Sequence, residues 1–115
     1  NTMQYSYTID SGILKLSLEG DLIGEVKGPE LLEVINGAFN QEIKYCAIDI
    51  SKVRYINSSG IGVLITILTK FRNRDGDVCL INPSEHVKKL LIITKLTAIF
   101  NIVDSLNEAI QKLQS

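Results

Sequence analysis

Residues 49–64 read Asp-Ile-Ser-Lys-Val-Arg-Tyr-Ile-Asn-Ser-Ser-Gly-Ile-Gly-Val-Leu. We expect this stretch to run from the end of a buried strand, through a short loop, into a helix. The helix is predicted to begin near Ser58-Ser59-Gly60, with Asn57 or Ser58 as its N-cap. Loops at the carboxyl ends of parallel strands are where α/β folds usually carry function. The hydroxyl groups at this helix start are therefore the first candidates for a site.

Gly60 and Gly62 admit two explanations. They either permit close packing within the fold, or they remove side-chain bulk so that another macromolecule can approach Ser58 and Ser59. Glycine in a helix costs ~1 kcal/mol relative to alanine. A helix built only for stability would not carry two glycines in its first turn, which favours the second explanation.

The residues before this stretch predict two strands, a helix and a third strand. Polar and apolar residues alternate over 5–9 and again over 13–18, and Glu19-Gly20-Asp21 is predicted to close the second strand. A helix is predicted after Gly28-Pro29, because proline suits the first helical turn. The run 43–50 is apolar on both faces, as in a central strand that helices cover.

The residues after this stretch continue the alternation. The helix from Ser58 is predicted to bury a main stripe, which Val63 and Ile67 widen, and to end at a Gly76 cap; the stripe comprises Ile61, Leu64, Ile65, Leu68 and Phe71. A strand at 78–81 and a helix capped by Ser84 follow. A short strand within 99–103 and a helix with a Ser105 and Glu108 capping box end the chain. The sequence therefore predicts one α/β domain over 1–115, of order ββαβαβα(β)α, with a mixed sheet of four to five strands covered by about four helices.

Composition excludes several classes of protein. The chain is 45% hydrophobic with 12 basic and 13 acidic side chains, which is too apolar and too balanced for a disordered tail. A net charge of -1 gives no overall electrostatic reason to expect binding to nucleic acid or an anionic membrane. Cys46 and Cys79 lie in apolar runs, which favours buried free thiols over a disulfide bridge.

Targeting signals and membrane-spanning segments are not evident in the sequence. The opening residues, 1–5, lack the basic and apolar regions of a secretory signal. The apolar stretch 61–68 falls short of the ~20 residues that span a bilayer. We therefore expect a cytoplasmic protein without membrane insertion.

Catalytic equipment is not evident in the sequence. His86 is the sole histidine, and it has no second histidine or nearby cysteine with which to bind a metal. No phosphate-binding Gly-x-x-x-x-Gly-Lys-Ser/Thr loop or dinucleotide fingerprint is present. The sequence therefore predicts a binding module without a cofactor or metal, and not an enzyme.

Two motifs resemble those of the STAS domain family, in particular its bacterial anti-sigma factor antagonists. The family signature is roughly Asp-Leu-Ser, a short gap, and Asp-Ser-Ser/Thr-Gly-Leu-Gly-x-Leu. This chain has Asp49-Ile50-Ser51, and then Asn-Ser-Ser-Gly-Ile-Gly-Val-Leu at 57–64. A second match is Glu19-Gly20-Asp21-Leu22, where the family usually has Gly-Glu/Asp-Leu/Ile-Asp after its second strand. The predicted element order is also the order of the family, so the resemblance covers nearly the whole chain.

The resemblance implies a partner and a modification site. In the family, a partner anti-sigma factor that is also an ATP-dependent serine kinase phosphorylates the serine that corresponds to Ser58. The unphosphorylated antagonist binds this partner and frees the sigma factor, and a phosphatase resets the phosphorylated form. The resemblance implies a monomer or weak dimer that docks through the 20–24 turn and the 57–62 helix start, with contacts from Asp21, Ile23, Gly24, Asn57, Ser58, Ser59, Gly60 and Ile61.

Three points stay open. Ser59 is a second hydroxyl that could accept phosphate, although a cap or packing role is favoured for it. The family's usual aspartates are Asn57 and Ile23 here, which allows an alternative: a non-switching STAS scaffold or transporter-accessory subunit. Val63 and Ile67 are predicted to be core against the third helix, the other option being a border of the partner site with Ile61 and Ile23.

Overall fold

The computed structural model describes residues 3–114. The expectation about a targeting signal falls partly on Asn1 and Thr2, which, like Ser115, lie outside the described residues. The described chain alternates strands and helices in the order β1 (Gln4–Asp10), β2 (Ile13–Leu22), α1 (Gly24–Asn40), β3 (Tyr45–Ile56), α2 (Ser58–Arg72), β4 (Asp77–Ile81), α3 (Glu85–Ile93), a 3-10 turn (Leu96–Ala98), β5 (Asn101–Val103) and α4 (Leu106–Gln114). This order confirms the predicted mixed α/β fold.

The five strands form one sheet in the order β1-β2-β3-β4-β5. β1 and β2 pair antiparallel, and every later neighbour pairs parallel. β3 is therefore the central strand, as the apolar run in the sequence predicted. The carboxyl ends of β2 to β5 lie at one edge of the sheet, and that edge carries the candidate site.

Helices cover both faces of the sheet. Residues such as Leu14 and Cys46 belong to the core that α1, α2 and α3 cover. Their neighbours in sequence, Ile13 and Ala47, point to the other face and pack with α4. Cys46 and Cys79 are free and buried on opposite faces, as expected. Burial raises the pKa of the Cys79 thiol to about 11.

β2 and β3 are longer than predicted, and this corrects two expectations. The segment 19–21 does not close β2, and 51–56 is strand and not loop. The two extensions pair with each other, Asp21 with Tyr55 and Leu22 with Ile56, through two register shifts. Several side chains in these two strand extensions are polar and exposed. The sequence pattern of the extensions therefore resembled that of a loop.

α1 also begins earlier than predicted, at Gly24 and not after Gly28-Pro29. Pro29 is the sixth residue of the helix and is exposed to solvent. Proline lacks the N–H that would continue the helical hydrogen bonding at that position, which costs one bond near the helix start. The early start is accompanied by a tertiary hydrogen bond, which the Gly24 N–H donates to Ser59 Oγ at 2.9 Å.

α2 buries Leu64, Ile67, Leu68 and Phe71 fully, but Ile65 is exposed, which corrects the predicted stripe. Val63 is half-buried and lies against α1 and not, as predicted, the third helix: a Cβ added to Gly28 would be 3.0 Å from Val63 Cγ2. The predicted Gly76 cap is also wrong in detail. The left-handed residue after α2 is Asp75, at φ 62°, while Gly76 packs against the main chain of Lys44.

The remaining caps agree with the sequence. Ser84 Oγ accepts from the Val87 N–H and caps α3, and Ser105 Oγ accepts from the Glu108 N–H. The Glu108 carboxylate in turn accepts from the main-chain N–H of Asp104. Across residues 3–114, no helix is long and apolar enough to cross a membrane.

Candidate functional site

Two turns of the chain meet at the carboxyl edge of the sheet. β2 and β3 pair up to Leu22 and Ile56, and the Asn57 N–H then donates to the Leu22 carbonyl over 3.3 Å. α1 begins two residues after β2, and α2 begins two residues after β3. The amino ends of two helices, each the positive end of a helix dipole, are therefore side by side.

Asn57 is the N-cap of α2. Its Oδ1 accepts from the Gly60 N–H at 2.8 Å and from the Ser59 hydroxyl at 2.9 Å. Its Nδ2 lies 3.5 Å from Glu25 Oε1, a long hydrogen bond to the first turn of α1. An aspartate in this position could form the cap, but it would have no N–H to donate to Glu25.

The Ser59 hydroxyl joins the two turns. Ser59 Oγ accepts from the Gly24 N–H at 2.9 Å while its own O–H donates to Asn57. The nearby Ser59 hydroxyl, then the Glu25 main-chain N–H and the Asn57 amide, lower the pKa of the Glu25 carboxyl. Ser59 is thus held by contacts within the fold.

Ser58 has the opposite environment. Its side chain is exposed, and within residues 3–114 it forms no hydrogen bond. No acidic residue stands in the first turn of α2. Ser58 is therefore a hydroxyl that another protein could reach without breaking any contact in the domain.

Gly24 and Gly60 allow the two turns to approach each other. A Cβ on Gly24 would lie 2.3 Å from the Ser59 carbonyl oxygen, and a Cβ on Gly60 would lie 2.3 Å from that of Leu22. Both glycines are buried. For Gly60 the packing explanation therefore holds, and not the favoured one of access. Gly62 is exposed with nothing within 4 Å of an added Cβ.

Asp21 forms a two-pronged ion pair with Arg54 across the paired strand extensions. The Arg54 Nε and Nη2 atoms donate to the two carboxylate oxygens at 3.0 and 2.7 Å. The Arg54 guanidinium lowers the pKa of the Asp21 carboxyl. Because Arg54 is exposed and Asp21 is largely covered, the guanidinium is the part of this pair that faces solvent.

The structure brings all eight predicted docking residues to one edge but gives them different roles. Ile23 is the half-buried residue before α1, and Ile61 packs partly against the core. Gly24 and Gly60 are too buried to offer much surface. Sequence reasoning missed Glu25 and Arg54. The register of β2 on β3, which the sequence pattern did not reveal, is the information that places Arg54 beside Asp21.

A separate cavity of about 290 Å³ lies on the sheet face that α4 leaves open. Its polar lining includes Ser17, Glu19, Asp49 and Lys52. The Asp49 carboxylate accepts from both the N–H and the hydroxyl of Ser51. The Asp-Ile-Ser motif thus lies at a register shift between β2 and β3, where Ser17 pairs with Asp49 and Glu19 pairs with Lys52.

Comparison with known proteins identifies the family. The family model described as the STAS domain matches residues 4–109. The chain belongs to the STAS domain family. One relative, from Thermotoga neapolitana, bears the name of an anti-sigma factor antagonist; it is 32% identical over 82 residues, which are 71% of this chain and 69% of that protein.

Solved structures whose names include anti-sigma factor antagonist or SpoIIAA share the fold along nearly the whole chain. A crystal structure of an anti-sigma factor antagonist from Thermotoga maritima has a TM-score of 0.86 at 24% identity and covers 96% of this chain and 95% of its own. Unphosphorylated SpoIIAA has a TM-score of 0.82 at 18% identity, with 96% of both chains covered. Phosphorylated Bacillus SpoIIAA has a TM-score of 0.71 at 19% identity, covering 96% of this chain and 98% of its own.

Proposed function

We propose that this chain is a cytoplasmic anti-sigma factor antagonist without enzymatic activity of its own. It binds a partner anti-sigma factor through the surface formed by the β2–α1 turn and the start of α2. The partner is a serine kinase that supplies the ATP, and phosphorylation of Ser58 weakens the complex. A phosphatase restores the binding form.

The observation that carries this proposal is the contrast between the two serines. Ser58 is exposed and unbonded within the described chain, whereas Ser59 bonds to Gly24 and Asn57. Phosphate on Ser59 would break the link between the two turns. Phosphate on Ser58 would add ~1.5–2 negative charges without disturbing a contact.

The electrostatic setting supports a modification that leaves the fold intact. A phosphate on Ser58 would stand at the amino end of α2, where the helix dipole and free N–H groups favour anions. In a docking surface the same group is a bulky hydrated charge. If a partner leaves it poorly paired, the complex loses several kcal/mol, and each ~1.4 kcal/mol is tenfold in affinity.

The experiment is phosphosite mapping by mass spectrometry on the protein purified from its native cells, during growth and under stress. We expect phosphate on Ser58 whose occupancy changes with condition, and none on Ser59. The variants Ser58→Ala and Ser58→Asp are then used as baits in the same cells, and the amount of partner that each captures is measured. This tests the effect of charge at residue 58 on docking without the modification itself. The alanine variant should bind the anti-sigma factor partner as the wild type does. The aspartate variant should bind that partner at least about tenfold more weakly.

A non-switching scaffold or transporter-accessory subunit is the second candidate, and one observation favours it. Glu25 already places a carboxylate at this site, in contact with Asn57. A phosphate on Ser58 would add negative charge close to it. Unmodified Ser58 in every condition, together with equal partner capture by Ser58→Ala and Ser58→Asp, would contradict the switch and support the scaffold.

A further inference from the structure

The end of α3 and the turn that follows it expose three isoleucine side chains. Ile93 is 77% exposed, Ile92 56% and Ile99 39%. One exposed apolar residue is ordinary on a protein surface, whereas three large ones within eight residues are more typical of a surface that contacts something. Together with Lys89 and Lys95, these residues are named the α3 tip.

The α3 tip is basic although the chain as a whole is slightly acidic. Residues 86–103 contain three lysines and no aspartate or glutamate. Lys88 lies 3.8 Å from Glu85, while Lys89 and Lys95 form no ion pair within residues 3–114. The net charge of -1 therefore conceals two exposed lysines without an ion pair, of which Lys89 lies one helical turn before Ile92 and Ile93 on the same face of α3.

The α3 tip lies at the opposite end of the domain from Ser58. Arg72, the last residue of α2, donates from Nη2 to the Ile99 carbonyl oxygen at 2.6 Å. Ser58 is the first residue of the same helix, and fifteen residues at about 1.5 Å each separate the two ends by roughly 20 Å. A contact at the tip would leave the Ser58 edge free.

We propose that the α3 tip binds the surface of an anionic phospholipid membrane. Isoleucines that protrude beside lysines suit an interface in which apolar groups enter the lipid and ammonium groups contact acidic headgroups. Lysine is depleted at protein–protein interfaces, which favours a lipid surface over a protein partner for this tip. The contact is peripheral and requires no spanning helix.

The proposal is tested with the whole chain and vesicles of defined composition. Co-sedimentation is measured with phosphatidylcholine vesicles and with vesicles that also contain phosphatidylglycerol. We expect at least about tenfold tighter binding to the anionic vesicles, and loss of that preference in high salt. Two double variants should each abolish the preference for anionic vesicles: Ile92→Ser with Ile93→Ser, and Lys89→Glu with Lys95→Glu.

Val26→Ser is the matched control, because Val26 is 51% exposed but stands in the first turns of α1 near the Ser58 edge. It should bind vesicles as the wild type does. Far-UV circular dichroism and thermal unfolding establish that each variant is folded. Equal binding to both vesicle types, or unchanged binding by the isoleucine variant, overturns the proposal. The wild type could also self-associate and bind no vesicles, with the self-association lost in the isoleucine variant. That result overturns the proposal and assigns the tip to a protein contact.

Discussion

The main-chain N–H of Gly24 donates to Ser59 Oγ over 2.9 Å, across 35 residues of sequence. This bond ties the start of α1 to the start of α2 and fixes the surface on which Ser58 stands. Since Ser59 also donates to Asn57, one hydroxyl serves both helix starts. The two neighbouring serines thus have separable roles, one in the fold and one exposed to a partner.

Ser59→Ala should lower the free energy of unfolding by ~1–3 kcal/mol, because the Gly24 N–H loses its acceptor in a partly buried position. Ser58→Ala is the matched control and should change it by less than ~0.5 kcal/mol, as for other surface substitutions. Urea unfolding of the two variants measures both. Equal stabilities for the two alanine variants would contradict the assignment of Ser59 to the fold.

Gly60→Ala and Gly62→Ala should change stability in opposite directions. The added Cβ at Gly60 meets the Leu22 carbonyl at 2.3 Å, and overpacking of this kind costs ~1–3 kcal/mol or more. Gly62 has open space around it, so alanine there should stabilise the helix by ~0.5–1 kcal/mol. Thermal unfolding midpoints distinguish the two. A stabilised Gly60→Ala would show that the turns can separate without cost.

Asn57→Asp should raise the pKa of Glu25. Aspartate retains the cap oxygen but removes the N–H that Asn57 directs at Glu25, and it adds a second negative charge beside that carboxylate. The NMR titration of the Glu25 side chain should therefore move upward from its lowered position in the wild type. Glu25→Gln in the Asn57→Asp background tests whether any loss of stability at neutral pH comes from this repulsion. An unchanged Glu25 titration would mean that the two side chains are not coupled.

Arg54→Gln should return the pKa of Asp21 toward its ordinary value. The folded-state pKa of Asp21 is lowered, so the ion pair contributes stability above the unfolded value of ~3.9 and loses it as the pH falls through the folded value. The stability of the wild type should therefore exceed that of the variant at neutral pH, and the difference should vanish in strong acid. Urea unfolding of both proteins, from neutral pH to strong acid, measures this difference in stability. A difference that persists in strong acid would assign the effect of Arg54 to packing and not to charge.

The predicted element order was correct because each helix and strand carried a local signal. The apolar run 43–50 indicated the central strand, and Ser84 indicated the start of α3. The errors lie where tertiary contacts replace local preference. α1 begins at Gly24 because Ser59 accepts from its N–H, and β2 and β3 extend because each pairs with the other.

The amino-acid sequence by itself determined the α/β fold and the position of Ser58 at the start of a helix, because these depend on short-range patterns and on a family motif, whereas it left the cap open between Asn57 and Ser58. Only the tertiary structure decided which serine is held and which is exposed. It also decided that Gly60 serves packing, and that Glu25 and Arg54 belong to the same edge as Ser58. The reason is that each of these facts depends on how residues 20–25 meet residues 54–60, which no local pattern encodes.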